Sequence, residues 1–82
     1  MDSEKVKDLI LNEIPDAYVE VIDTTGTNDH FSAIVISDSF DGKSMVQQHQ
    51  LVYKALGSFM TNEIHAMQLK TLTKEQWKNT IS

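Results

Sequence analysis

The chain has no cysteine, no arginine, one proline and three glycines, and it lacks the long apolar run of a membrane span. Each shortage narrows what it can be. Without cysteine there is neither a disulfide nor a thiolate metal site, which suits a reducing compartment. A bilayer-crossing helix takes about 20 consecutive apolar residues, so a soluble protein is expected, cytoplasmic or within an organelle and with no membrane partner. The opening MDSEKVKDLI lacks the basic-then-apolar pattern of a secretory leader, and none is expected. With arginine absent, 7 lysines face 12 carboxylates, for a net charge of −5. Proteins that live on phosphate backbones usually carry a positive footprint, so nucleic acid is the weaker expectation.

What is present is an ordinary globular composition, 40% hydrophobic and 23% charged, over 82 residues. That supports one small α/β domain, residues 1–82, with a marginal single core. No repeat, linker or low-complexity segment divides it.

Periodicity places the elements. Val6, Leu9, Ile10 and Ile14 recur at helical spacing between a cap at Asp2 or Ser3 and a stop at Pro15. Ala17 to Asp23 alternates as a strand, TTGTND supplies turn residues, and His30 to Ser37 is apolar on both faces, as a central strand should be. After the turn SFDGKS, residues Met45, Val46, His49, Val52, Tyr53 and Leu56 form an apolar stripe closed by Gly57, which predicts a second helix. A short helical turn over 58–63, a strand over His65 to Leu72 and a last helix holding Trp77 follow, with Thr73 and Gln76 at capping-box spacing. The order is α-β-β-α-(α)-β-α. The hairpin pairs strands one and two antiparallel, and the helical crossover makes strands two and three parallel, giving a mixed three-stranded sheet with helices packed on it. Met45, Met60 and Met67 are expected to fill the core, and Trp77 to pack on the sheet or the first helix.

Chemistry-bearing residues are few. GKS in SFDGKS lacks the glycine at position 37 that a phosphate loop requires, so Gly42 is read as a turn residue and Ser44 as a helix cap. Ser39 and Ser58 show no activating partner, and no carboxylate pair stands in an apolar run, so no catalytic constellation emerges and an enzyme is not expected. His49 falls in the helix-two stripe and reads as a packing residue. His30 and His65 differ, because each opens a strand and parallel strands start at the same edge. If strands two and three are neighbours, the backbones lie about 5 Å apart and two imidazoles could share a metal. If strand one lies between them, the gap is about 10 Å and a shared mononuclear site is strained. The sequence leaves that order open. A strand-end histidine more often caps a carbonyl, and two histidines are too few for a closed site, so further ligands must come from outside.

The block HFSAIVISDSFDGKS, then QQHQLVY, IHAMQLKT and the terminal TLTKEQW resemble the BolA family over nearly the whole chain. The resemblance implies a fold similar to class II KH domains, no enzymatic activity, and partnership with a monothiol glutaredoxin in iron–sulfur cluster transfer, assembly or iron sensing. The chain would be a monomer alone and a heterodimer with that partner. A [2Fe–2S] cluster would be shared, with sulfur from the glutaredoxin and its glutathione and a histidine that maps onto His65. A second ligand would come from the loop between strands one and two. Many members carry histidine or cysteine inside that loop, whereas Thr24 to Asp29 has neither, which leaves His30, Asp29 or no second protein ligand. Histidine on one iron resembles the Rieske arrangement, which raises the cluster's potential. The family also includes transcriptional regulators, so nucleic-acid binding through a KH-like or helix-turn-helix-like region is the alternative. Against it, Gln48 and Gln50 flank His49 where relatives often carry arginine, and the GxxG of KH domains is missing. A metal-free adaptor for glutaredoxin is a third possibility.

Overall fold

Eleven residues, Ser3–Glu13, coil into helix α1 because Asp2 caps them, its carboxylate accepting from the Lys5 amide, and because Val6 and Ile10 form a fully buried row. In this computed structural model, residues 1–62, 64 and 66–81 are described. Ile14 closes α1, and Pro15 prevents its continuation. The remaining elements are β1 (Tyr18–Asp23), β2 (His30–Ile36), a 3₁₀ turn (Asp38–Phe40), α2 (Met45–Leu56), α3 (Phe59–Asn62), β3 (Ala66–Leu72) and α4 (Lys74–Ile81). This is the expected order, with boundaries within a residue or so.

The sheet order is β1-β2-β3. β1 pairs antiparallel with β2, from Tyr18 opposite Ile36 to Asp23 opposite Phe31, and β2 pairs parallel with β3, from His30 opposite Ala66 to Ile36 opposite Leu72. Strands two and three are therefore neighbours, which settles the alternative that the sequence leaves open. One face carries Val19, Phe31, Ala33, Val35 and Thr71 into the core, where α1 and α2 supply Val6, Ile10, Ile14, Val52 and Leu56. Phe40 and Ile64 are buried in the same cluster. On the opposite face Tyr18 and Ile22 are exposed, and Trp77 of α4 lies half-buried beside Ile36, Ala17 and Tyr18 at the end of the sheet.

Helix α2 corrects one expectation. Its buried row is Gln48, Val52 and Leu56, while Met45, Val46 and Tyr53 are 57%, 64% and 38% exposed. The helix is turned so that a polar residue faces inward and half of the expected apolar stripe faces out. Gln48 makes this possible by satisfying both ends of its amide. Nε2 donates to the Lys43 carbonyl at 2.9 Å and approaches that of Phe40 at 3.5 Å, while Oε1 accepts from the buried Thr71 hydroxyl at 2.7 Å. Met60 and Met67 pack against the core as expected; Met45 does not, and its sulfur sits 3.5 Å from the Thr71 hydroxyl. Ser44 caps α2 in a reciprocal pair with Gln47, and Gly42 takes a positive φ of 76° in the preceding turn. Thr73 and Gln76 form the expected second capping box.

A second polar clasp joins segments 21 residues apart. Asp16 accepts from the Ser37 hydroxyl at 2.8 Å, the Ser39 hydroxyl at 3.2 Å and the Asp38 amide at 3.3 Å. Ser37 is the largest influence and lowers the Asp16 pKa below its ordinary 3.8; burial opposes this, and Ser39 and Asp38 reinforce it.

Two outcomes follow for stability. Gln48→Leu leaves the buried Thr71 hydroxyl to the weak Met45 sulfur acceptor and should cost about 1–3 kcal/mol in chemical denaturation. Adding Thr71→Val should recover part of that loss, because an apolar pair leaves nothing unsatisfied; a strictly additive double variant would contradict the coupling. For Asp16 the folded pKa lies below the unfolded one, so its contribution is complete above pH 3.8 and disappears as the pH falls through the lower folded value. Asp16→Asn should flatten the acid limb of stability against pH, and an unchanged limb would show that the clasp does not titrate with folding.

Candidate metal-ligand edge of the sheet

Parallel pairing brings the start of β2 beside the start of β3. His30 is the first residue of β2 and stands opposite Ala66, the first of β3, and the Ala66 amide donates to the Asp29 carbonyl at 3.2 Å. Neighbouring strands lie about 5 Å apart, which is the spacing at which two side chains can reach one group. His65 precedes Ala66 in sequence and lies outside the described residues.

The loop leading into His30 is held by one carboxylate. Asp23 Oδ1 accepts from the amides of Thr25 at 3.3 Å and Gly26 at 2.9 Å, and Oδ2 accepts from that of Asn28 at 3.0 Å. These bonds bend the chain through positive φ at Gly26 (76°) and Asn28 (62°), conformations that glycine and asparagine tolerate. Thr24 closes the turn, its amide and hydroxyl donating to the His30 carbonyl at 2.9 and 3.1 Å. Beyond it the Thr25 and Thr27 hydroxyls are bonded, Thr27 donates to Asp29 Oδ1, and His30 Nδ1 meets the same oxygen at 2.7 Å. The His30 side chain is 40% exposed and that of Asp29 is 28% exposed.

His30 and the loop are thus together at one edge. His49 is elsewhere, on α2, its ring edge-on to Tyr53 at 6.2 Å between centroids and its buried Nε2 without a hydrogen-bond partner among the described residues. No group of three or more His, Cys, Asp or Glu that could hold a metal ion occurs among the described residues. At this edge the described donors are the His30 imidazole and the Asp29 carboxylate. Sequence reasoning did not find the role of Asp23, although an aspartate two residues before Thr25 and three before Gly26 is the local signal of an Asx turn.

A family model described as BolA-like protein matches residues 10–76. The chain belongs to the BolA-like family. Mouse BolA-like protein 2 is 34% identical over 79 residues, spanning 94% of this chain and 91% of that one. The Escherichia coli (strain K12) DNA-binding transcriptional regulator BolA is 25% identical over 85 residues, spanning 95% and 81% of the two chains. Among solved structures, a bol-like protein from Babesia bovis superposes with a TM-score of 0.87 at 25% identity, covering 100% of this chain and 95% of that one. The helix order and mixed three-stranded sheet are those of the family. No helix among the described residues is long and apolar enough to cross a membrane.

Removal of Asp23 should loosen this edge and leave the core alone. In Asp23→Ala, amide hydrogen exchange at Gly26 and Asn28 should accelerate strongly while Val35 and Val52 stay protected. Equal acceleration everywhere would mean that Asp23 supports the whole fold.

Proposed function

We propose that this chain is a non-enzymatic partner of a monothiol glutaredoxin and shares a glutathione-ligated [2Fe–2S] cluster with it, for cluster transfer, assembly or iron sensing. The observation that carries the reading is the parallel register, His30 opposite Ala66, which sets the loop-end histidine on the strand beside the one that His65 precedes. Membership of the BolA-like family supports it, since the resemblance implies this partnership and maps its ligand histidine onto His65. In this reading His65 is the principal ligand from this chain and His30 the second. The glutaredoxin and its glutathione supply the thiolates that a cysteine-free chain lacks. Neutral imidazoles in place of thiolates lower the negative charge at the cluster and raise its potential. Two imidazoles cannot complete the shell, so the isolated chain should hold iron weakly and the mixed complex firmly.

A second reading, regulation through nucleic acid, is favoured by one relative, the E. coli regulator, and by a groove beside α2 that contains Lys43 and Lys54. Three observations weigh against it. The net charge is −5, Lys54 is paired with Glu13 at 3.5 Å, and Gln48, one of the two residues beside His49, is turned into the core. Binding to duplex DNA at physiological salt should stay in the non-specific range, about 10⁻⁴ M or weaker.

The deciding experiment reconstitutes the chain with a monothiol glutaredoxin and glutathione and follows the cluster by visible circular dichroism. His65→Ala should leave the fold intact yet alter the cluster spectrum and shorten its lifetime; His30→Ala should act in the same direction and less. His49→Ala is the control and should change nothing in the spectrum. A wild-type spectrum and lifetime for His65→Ala would refute the ligand assignment and leave the metal-free adaptor.

A further inference from the structure

We propose that Asp29 is a positioning residue for the His30 imidazole: its carboxylate holds the ring with Nδ1 protonated and presents Nε2 as the ligand nitrogen. This rests on the reading of His30 as a cluster ligand. The geometry is specific. Oδ1 of Asp29 lies 2.7 Å from His30 Nδ1 and also accepts from the Thr27 hydroxyl. A carboxylate can only accept, so Nδ1 must carry the proton, and in the neutral ring the lone pair is then on Nε2. Asp29 is itself held at both ends. Its carbonyl takes the Ala66 amide of β3 at 3.2 Å, and its side chain takes Thr27, which Asp23 places by bending the loop. The carboxylate is therefore fixed relative to both strands, and it fixes the imidazole in turn.

Metal-binding histidines commonly donate the other ring N–H to a carboxylate, which sets tautomer and ring direction; loss of such a partner typically costs about 10–100-fold in affinity or activity. The same bond bears on the choice between His30 and Asp29 as the second ligand. Oδ1 of Asp29 accepts from both the ring and the Thr27 hydroxyl, and in this proposal that contact makes its task orientation and leaves His30 as the ligand. Sequence alone shows only that an aspartate precedes a histidine. The structure adds the 2.7 Å contact and the double anchoring that give the pair a direction.

The test has two arms. In the first, long-range ¹H–¹⁵N correlation on the cluster-free protein reads the His30 tautomer. Wild type should show Nδ1–H, and Asp29→Ala should revert towards the Nε2–H form that unconstrained imidazole prefers. Asp29→Asn, whose amide oxygen can still accept, should retain much of the wild-type tautomer. The sheet amide fingerprint should be unchanged in all three. In the second arm, the same variants are reconstituted with monothiol glutaredoxin and glutathione. Asp29→Ala should lose the cluster about tenfold faster than wild type, Asp29→Asn should be less affected, and His30→Ala should be the most affected of the three. An Nε2–H ring in wild type, or an unaltered tautomer in Asp29→Ala, overturns the proposal. So does an Asp29→Ala complex more labile than His30→Ala, which would make Asp29 the ligand. If the cluster forms and responds to His65→Ala but to neither His30→Ala nor Asp29→Ala, this inference falls together with the second-ligand role of His30, while the shared cluster and its His65 ligand stand. If wild type forms no cluster at all, the proposed function falls and takes this inference with it.

Discussion

The parallel pairing of β2 with β3 governs most of what surrounds it. Two parallel strands cannot be joined by a tight turn, so the chain must leave Ile36, travel back along the sheet and re-enter at Ala66. The returning segment is α2 with α3, and with α1 it covers the face that carries Phe31, Ala33 and Val35. β2 is thereby placed in the middle with its core-facing side chains almost fully buried. The same pairing makes the end of the loop after β1 and the first residue of β3 neighbours. The candidate site is a by-product of how the core is closed, and the hairpin loop is held there by the Asp23 clasp, by the Met1 ammonium on the Asn28 carbonyl and by the Ala66 amide on the Asp29 carbonyl.

Much of this was legible in residue order and spacing. Helix caps at Ser44 and Thr73, the stop at Pro15 and the apolar run of β2 are local signals, and local signals determine local geometry. Strand order was not legible, because it depends on which edge of the hairpin the crossover returns to, a property of packing rather than of spacing. The rotation of α2 was hidden for a different reason. Gln48 is polar in isolation, and only its tertiary partners, Lys43 and Thr71, make it a core residue. The Asp16 clasp was hidden by sequence separation, whereas Asp23 and Asp29 act within a few residues and leave traces that can be read. The expectation for His65 falls outside the described residues, so its support remains in the family resemblance and in the register of Ala66.

The buried amide of Gln48 has a consequence for the uniqueness of the fold. Hydrophobicity alone would tolerate α2 at more than one azimuth, since Met45, Val46 and Tyr53 offer an apolar row of their own on the surface that α2 now exposes. Rolling the helix inward along that row would pull Gln48 away from the Thr71 hydroxyl and the Lys43 carbonyl, leaving the fully buried hydroxyl to the weak acceptor Met45 Sδ. The penalty falls on the misrotated state rather than rewarding the native one. One glutamine therefore acts as an angular key: it removes a degenerate packing from the ensemble and gives a small, weakly determined core a single orientation for its longest helix.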